Sequence, residues 1–497
     1  MGQPDAGTAS SSSGICPIAP LPDVPPSDNG DGREEENRNQ DSNINNNSNN
    51  NNDISTDQGD VECPPNDNDN DENTEDDKLH YQKTCRFVAR MGWYACHYGA
   101  TPSRVEVLLS DLMHHFGYTG SLFRITNGEL ICVFGRDKEC IFDDQLIRIF
   151  ALNEGLHLHR LGLLNEVCKQ VCQGTLSQSQ ALQALEDIEH VPNPWGVGTF
   201  MLSFVLVGAT VPAILQGSWW DALGGFICSI LVYALLLGLP PLYHKALPLL
   251  STFVSAMVAF GLQRSWIPQL QVEIVVLSAV IVQVPGYWVS LAVSEIISNH
   301  ITAGMGRLVN SLVTLGLLVG GYWLAYNIKD VLADDSNEEN DQQENLTNNA
   351  DTDATISVLW QNLFFVPCLM MCLCIQFQTS PSDCPWSFMN LMVAYGTSYA
   401  ATLVAGKRNI GVLLASMAVT VFAQVWARWK DRPRSIVITP ALVILVGGSI
   451  GFRGLVNFAV EDDKAGLYEF AQMFVIALLI VAGLLIGNVL VRAPTTL

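Results

Sequence analysis

Two short breaks in apolar helices are the clearest indication of a binding site in this sequence. Pro285-Gly286 interrupts one apolar run, and Gly447-Gly448 interrupts another at a spacing of 162 residues. Proline removes a backbone hydrogen-bond donor, and glycine lets the backbone unwind. Freed backbone groups persist inside a membrane only where they face protein or a water-filled cavity, and paired breaks in two halves of a chain indicate a solute site. We expect these groups to face a bound polar solute. The simpler alternative is a kink that binds nothing.

Polar and ionisable side chains flank both breaks. Glu295 and Arg453 lie one or two turns beyond them, and an ionisable group inside a membrane usually has a function. A carboxyl group there would also be able to exchange a proton and couple transport to a proton gradient. Asn310 has an alternative role as a hydrogen bond between helices. The predicted substrate-binding residues are Gln283, Pro285, Gly286, Ser290, Glu295, Asn310, Gly447, Gly448 and Arg453.

Two patterns that resemble other kinds of site do not fit them. Gly447-Gly-Ser449-Ile-Gly451 has the spacing of a nucleophile elbow, but it lies inside an apolar span rather than on a strand-to-helix turn. His157-x-His159 has no cysteine or carboxylate partner at metal-ligand spacing. The sequence therefore predicts no enzyme, no catalytic residue, no metal site and no cofactor.

The stretch around the first break has a degenerate copy downstream. Residues 274–324 align without a gap on 436–486, and 11 of the 51 positions are identical. The aligned positions include glycines, which apolar composition alone does not supply. We infer an internal duplication. Because small residues let membrane helices approach closely, we also expect structural roles for Gly304, Gly306 and Gly466.

The charge of the chain is concentrated in two acidic segments. The formal net charge is −23, and the excess lies in residues 1–78 and in the loop 327–355. The remainder is near neutral and has no basic stripe, which argues against nucleic acid as a partner. Residues 1–78 are poor in apolar residues and rich in Asn, Asp and Ser, so they are predicted to be a disordered tail.

Residues 79–190 have the pattern of a small soluble α+β domain. Thr101-Pro102 predicts the start of a helix that runs to residue 116. Asn127-Gly128 lies between two strand-like segments and predicts a hairpin. A further extended segment and two helices follow, the last of them with a predicted capping box at Ser177.

From residue 195 onward the chain contains ten apolar spans, each near the ~20 residues that cross a bilayer. They form two sets of five, 195–326 and 356–497, on either side of the acidic loop. A repeat with an odd number of crossings enters the membrane from the opposite side the second time. The predicted architecture is therefore an α-helical polytopic membrane protein with two inverted five-helix repeats in the lipid bilayer. The predicted spans are 197–215, 221–239, 246–263, 273–293, 306–326, 357–377, 386–405, 410–427, 436–458 and 467–491.

The distribution of positive charge predicts the orientation. The basic loop 428–434 falls on the same side of the ten spans as both termini, and positively charged loops are cytoplasmic. We therefore predict cytoplasmic N- and C-termini. The loop 327–355 then faces away from the cytoplasm, which suits the glycosylation sequon at Asn345.

Four motifs follow one another along the chain in a characteristic order. They are Gly99-Ala-Thr-Pro-Ser-Arg-Val-Glu106, the segment from Gly174 to Ile188, Val284-Pro285-Gly286, and Gly304-x-Gly306-Arg307-Leu308. Together they resemble the threonine/serine exporter family, which includes fungal pheromone-regulated membrane proteins. The resemblance covers residues 83–491. It implies a cytoplasmic α+β domain followed by ten helices that export small hydroxylated amino acids in exchange with the proton gradient.

The sequence thus favours a secondary transporter that exports threonine- or serine-like amino acids, with a proton as the coupling ion and alternating access as the mechanism. The rival hypothesis is a membrane scaffold or sensor that acts through residues 79–190 and transports nothing. A membrane-anchored enzyme ranks last, because the soluble domain lacks a catalytic constellation.

Overall fold

A small α+β domain precedes a bundle of apolar helices in the computed structural model, which describes residues 71–126, 128–136, 146–152, 155–334, 353–460 and 464–491. The predicted tail up to residue 70 and the sequon at Asn345 lie outside these residues. The soluble domain consists of α1 (Asp71–His97), α2 (Pro102–His115), β1 (Leu122–Thr126), β2 (Glu129–Phe134), β3 (Leu146–Ala151), α3 (Leu158–Cys172) and α4 (Gln178–His190).

The three strands form an antiparallel sheet in the order β1-β2-β3, and α1 and α2 pack against it. The hairpin between β1 and β2 turns through Gly128, whose φ of +88° is in the left-handed region that glycine adopts without strain. Phe87, Leu109, Leu130 and Leu161 have no exposed surface and come from different elements. The predicted α+β domain is therefore present, with its element order as expected.

Two details of the domain differ from the sequence-based expectation. α1 begins at Asp71, so residues 71–78 belong to this helix and not to the acidic tail. Thr101 precedes α2 in an extended conformation, but its side chain makes no capping hydrogen bond. Pro102 already sets the backbone angle at the first helical position, which explains why the helix starts there. Ser177 and Gln180, in contrast, form the complete predicted capping box of α4.

Helices make up most of the second part of the described chain. They are α5 (Gly196–Ile214), α6 (Trp219–Gly238), α7 (Leu247–Ser265), α8 (Val272–Val280), α9 (Gly286–Ile297), α10 (Ile301–Asp334), α11 (Asp353–Gln376), α12 (Cys384–Ala405), α13 (Arg408–Lys430), α14 (Ser435–Leu445), α15 (Gly448–Val460) and α16 (Lys464–Leu490). α10 and α11 extend into the segment 327–355, so part of the predicted acidic loop is helical.

Seven spans within the described residues are long and apolar enough to cross a membrane, with α14 and α15 counted as one, and the bent pair α8–α9 would make an eighth. Two of the ten predicted spans do not meet that criterion. The apolar helix described in α11 is only Phe364–Gln376, and α12 contains buried polar side chains.

The polar side chains of α12 satisfy backbone groups in α14. The hydroxyl of Ser387 donates to the carbonyl oxygen of Ile436 at 3.1 Å, and the amide of Asn390 donates to that of Val437 at 3.0 Å. Pro440 lies four residues after Ile436 and has no N–H to give that carbonyl, so a neighbouring helix supplies the donor. These contacts lower the apolar character of α12 for a structural reason.

Both predicted helix breaks are confirmed, and they occur at equivalent positions. α8 ends in a 3-10 turn at Ile281–Gln283, and α9 then begins at Gly286 with a bend of 50°. α14 ends at Leu445, and α15 begins at Gly448. The two starting glycines are the residues that align in the sequence duplication.

The close contacts of the aligned glycines also match between the two halves. A Cβ atom at Gly304 would lie 2.8 Å from the carbonyl oxygen of Ala292, and one at Gly466 would lie 2.5 Å from that of Gly454. α7 packs against α10 as α13 packs against α16, and α9 packs against α10 as α15 packs against α16. Gly304 and Gly466 are therefore tight-packing positions in equivalent interfaces. Gly306 lies partly buried in α10.

The soluble domain packs against several connections of the helix bundle. The backbone N–H groups of Leu158 and His159 donate to the carbonyl oxygens of Phe377 and Gln378, between α11 and α12. Lys169 forms an ion pair with Asp431, between α13 and α14. We call the end of the bundle that carries these connections the domain side.

The helix contact at Gly304 predicts a difference between two glycines of the same helix. Gly304→Ala forces a Cβ into occupied space, whereas a Cβ at the exposed Gly316 meets nothing within 4 Å. Overpacking costs about 1–3 kcal/mol. We expect Gly304→Ala to lower the thermal unfolding midpoint in detergent and Gly316→Ala to leave it unchanged or raise it. Equal midpoints for the two variants would contradict the packing described.

Candidate functional site

The two helix breaks are in direct contact with each other. A Cβ atom at Gly286 would lie 2.8 Å from the Cα of Gly448 and 2.5 Å from a methyl group of Val446. One at Gly448 would lie 2.9 Å from the Cα of Gly286 and 3.0 Å from a methyl group of Val284. Each glycine thus meets the other glycine and the valine that precedes that glycine by two residues. No side chain fits at either position without displacing backbone.

The sequence predicts a bound solute between Pro285-Gly286 and Gly447-Gly448. In the structure the backbones of Gly286 and Gly448 are in contact at this place. The residue beside Gly448 is also packed, since a Cβ at Gly447 would lie 3.0 Å from the side chain of Ile476. The glycines here allow two helices to cross closely and leave no opening between them.

A cavity of about 160 Å³ lies beside the crossing, toward the domain side. Its walls come from α9, α14, α13 and α16, and the start of α2 contributes the remaining lining. An engineered cavity of about 150 Å³ is large enough for benzene. The space is therefore on the scale of a small organic solute.

One face of α9 supplies much of the polar lining. Tyr287, Ser290, Ser294, Glu295 and Ser298 follow the spacing of one side of a helix, and all of them line the cavity. Ser290 is 4% exposed, and its hydroxyl oxygen has no hydrogen-bond partner among the described residues. A buried hydroxyl that lacks a partner is costly, so it is available to bind a polar solute.

The predicted binding residues divide into two groups. Ser290 and Glu295 line the cavity, next to the turn that begins at Pro285 and Gly286. The side-chain oxygen of Gln283 accepts a hydrogen bond from Ser251 of α7 at 3.0 Å, away from the cavity lining. Asn310 is exposed on α10, and Arg453 is partly buried in α15; neither lines the cavity.

Glu295 forms an ion pair with Arg307 across the interface between α9 and α10. The side chains are 3% and 10% exposed, respectively, and the guanidinium group of Arg307 also lies 5.8 Å from the ring centre of Trp288. Taking two charges out of water is costly unless each has a partner, and here each compensates the other. The pair fixes the carboxylate at the edge of the cavity.

Two further arginines line the cavity, and sequence reasoning did not identify them as binding residues. Arg104 belongs to the first turn of α2, and Arg434 directly precedes α14. Burial and the nearby Arg434 lower the pKa of Arg104 to about 9, and burial also lowers the pKa of Arg434. A pKa of about 9 keeps Arg104 charged at neutral pH. The available sequence signals were the motif from Gly99 to Glu106, which contains Arg104, and the basic loop, which contains Arg434.

Two family models match the chain, one on each side of the segment that joins the halves of the helix bundle. The model of a threonine/serine exporter matches residues 86–329, and the model "Threonine/Serine exporter, ThrE" matches residues 362–490. Together they cover about three quarters of the chain. The chain belongs to the threonine/serine exporter family. The first match spans the soluble domain and α5–α10, and the second falls within α11–α16.

The relatives among curated proteins are two uncharacterized proteins of Schizosaccharomyces pombe. C7D4.12c is 22% identical over 379 residues, which are 73% of this chain and 47% of that protein. C16A10.01 is 22% identical over 322 residues, which are 61% of this chain and 36% of that protein. The chain spans less than half the length of either relative. No solved structure matches it at a significant level.

The buried ion pair between Glu295 and Arg307 predicts how substitutions change the stability of this member of the exporter family. Glu295→Gln leaves the charge of Arg307 without its partner, and breaking a buried pair costs about 3–5 kcal/mol. Replacing both residues, as Glu295→Gln with Arg307→Met, removes the uncompensated charge. We expect the single variant to lower the thermal unfolding midpoint in detergent and the double variant to recover most of the loss. A double variant that is less stable than either single variant would rule out this pairing.

Proposed function

We propose that the protein is a secondary transporter that exports small polar amino acids such as threonine and serine by alternating access. The observation that carries the proposal is the cavity between α9 and α14, which contains an unpartnered hydroxyl at Ser290. Membership of the exporter family supports the same class of solute. A solute that carries a carboxylate, an ammonium and a hydroxyl would find partners for each group in this lining.

The proposed architecture is ten crossings in two inverted repeats. The domain side recurs along the chain at Trp195, whose indole N–H donates to the carbonyl oxygen of Thr379, at His300 beside Glu106, and at Asp431 beside Lys169. The path from Trp195 to His300 contains four spans if α8 and α9 count as one. Two helices, α10 and α11, separate His300 from Thr379, and two more, α12 and α13, separate Thr379 from Asp431. This even spacing of returns supports ten crossings.

The proposed orientation has the domain side in the cytoplasm. Arg434 donates a hydrogen bond of 2.6 Å to the side-chain oxygen of Asn488, near the end of α16. The soluble domain, the basic loop 428–434 and the end of the last helix therefore share one side. Because positively charged loops are cytoplasmic, both termini are assigned to the cytoplasm and the acidic loop 327–355 to the opposite side.

Alternating access follows from the arrangement of the half-helices. α9 and α14 lie on the domain side of the glycine crossing, and the cavity separates them there. α8 and α15 lie beyond the crossing and share a cluster of fully packed apolar residues that includes Val276 and Phe452. In the proposed orientation the cavity then lies in the cytoplasmic half of the protein, beneath the soluble domain. The opposite conformation would close α9 on α14 and open α8 from α15.

The proton is the proposed coupling ion, with Glu295 as the group that exchanges it. Its carboxylate lines the cavity and is paired with Arg307. Protonation of Glu295 would cancel its attraction to Arg307. Binding of a proton and binding of a solute would then each shift the equilibrium between two packings of α9 against α10. A proton gradient would then drive export.

Efflux from proteoliposomes tests the proposed function. The purified protein is reconstituted with labelled threonine or serine inside, and efflux is measured with and without an imposed pH gradient. We expect efflux that responds to the gradient. In Gly286→Ala a Cβ would push the two crossing helices apart, and because overpacking costs about 1–3 kcal/mol we expect the rate to fall roughly tenfold or more.

Gly316→Ala is the matched control, since it makes the same chemical change where a Cβ meets no neighbour. It should retain the wild-type rate. Folded wild-type protein that moves neither amino acid would contradict the proposed substrates and would favour a role as a scaffold that acts through the soluble domain.

A further inference from the structure

The first turn of α2 forms the roof of the cavity. Gly99, Thr101, Ser103 and Arg104 of the soluble domain line it together with the membrane helices. The Nη1 atom of Arg104 is buried and has no hydrogen-bond partner among the described residues. A buried, charged nitrogen without an acceptor is unfavourable, so this atom calls for an anionic or strongly accepting group in the cavity.

A second guanidinium group lines the same space. Arg434 is held by its hydrogen bond to Asn488, which fixes the side chain without neutralising it. Two like charges that share a cavity repel each other, and an anion bound to both would remove that repulsion. Arginine is also the side chain whose donors match both oxygens of a carboxylate.

Two helix N-termini add to the positive electrostatic potential in the cavity. α2 begins at Pro102 and α14 at Ser435, and residues of both first turns line the cavity. The N-terminus of a helix carries a partial positive charge and exposes backbone N–H groups. Thr101 does not cap α2 with its side chain, so it does not compete for those groups.

The position of Arg104 is set by a contact two residues further along α2. Glu106 accepts a hydrogen bond from the backbone N–H of Ile125 at 2.9 Å and contacts the ring of His300 at 2.9 Å. His300 lies in the connection between α9 and α10, next to the cavity wall. These two contacts fasten the start of α2 over the cavity, since one carboxylate oxygen of Glu106 binds Ile125 and the other contacts His300.

We propose that Arg104 of the soluble domain and Arg434 of the helix bundle together bind the carboxylate group of the transported solute. The inference rests on the proposed transport function and names the residues that recognise one group of its substrate. The hydroxyl of Ser290 and the carboxylate of Glu295 lie on the α9 wall of the same cavity, where they face the remainder of the solute. The soluble domain thereby becomes part of the binding site.

The proposal is tested by removing the ligand carboxylate and the arginine side chain, first separately and then together. Full-length protein in detergent is titrated with labelled L-threonine, and L-threoninol, which has a hydroxymethyl group in place of the carboxylate, is measured as a competitor. We expect Arg104→Gln to weaken threonine binding about ten- to hundredfold, the effect of losing a charge-assisted hydrogen bond, and to leave threoninol binding nearly unchanged. Arg104→Lys should restore part of the threonine affinity.

Arg124→Gln is the control, because Arg124 is an exposed arginine of the same domain outside the cavity. It should bind both ligands as the wild type does. If Arg104→Gln weakens both ligands by the same factor, or neither, the assignment of the carboxylate to Arg104 is wrong while the proposed function stands. If folded wild-type protein binds neither ligand and exports neither amino acid, the proposed function fails and this inference fails with it.

Discussion

The contact between Gly286 and Gly448 is the constraint on which the rest of the helix bundle depends. Two broken helices cross with their backbones in contact, so their midpoints are fixed relative to each other. The crossing divides each helix into one half on the domain side and one half beyond. On the domain side the halves α9 and α14 leave a polar cavity, whereas beyond it α8 and α15 pack into an apolar cluster. The cavity owes its position to this asymmetry and lies beside the breaks.

The soluble domain forms part of the cavity lining and is attached to the helix bundle around it. The contact of Glu106 with His300 holds the start of α2 over the cavity. The start of α3 is hydrogen-bonded to the backbone of the connection between α11 and α12. We expect a domain attached in this way to move with the helix ends that it contacts. On the proposed mechanism, any motion that closes α9 on α14 would also shift Arg104, so solute recognition and closure would involve the same residues.

Much of the fold could be predicted from local signals. Helix breaks, the hairpin glycine and the capping box at Ser177 depend on residues adjacent in sequence, and each was confirmed. The cavity, in contrast, depends on which distant segments meet. Arg104 and Arg434 are separated by most of the chain, and no periodicity brings a residue of the soluble domain to a membrane helix. For the same reason sequence patterns do not distinguish Asn310 and Arg453, which lie outside the cavity lining, from Ser290, which belongs to it.

Side-specific labelling of Ser290→Cys tests the central claim most directly. The claim is that the α9 wall of the cavity is reached from the domain side and is covered by bound solute. A membrane-impermeant thiol reagent is applied to either side of oriented vesicles, with wild-type protein as the measure of labelling at native cysteines. The account predicts labelling from the side of the soluble domain and protection by threonine. Labelling from the opposite side alone, or labelling that threonine does not reduce, would contradict it.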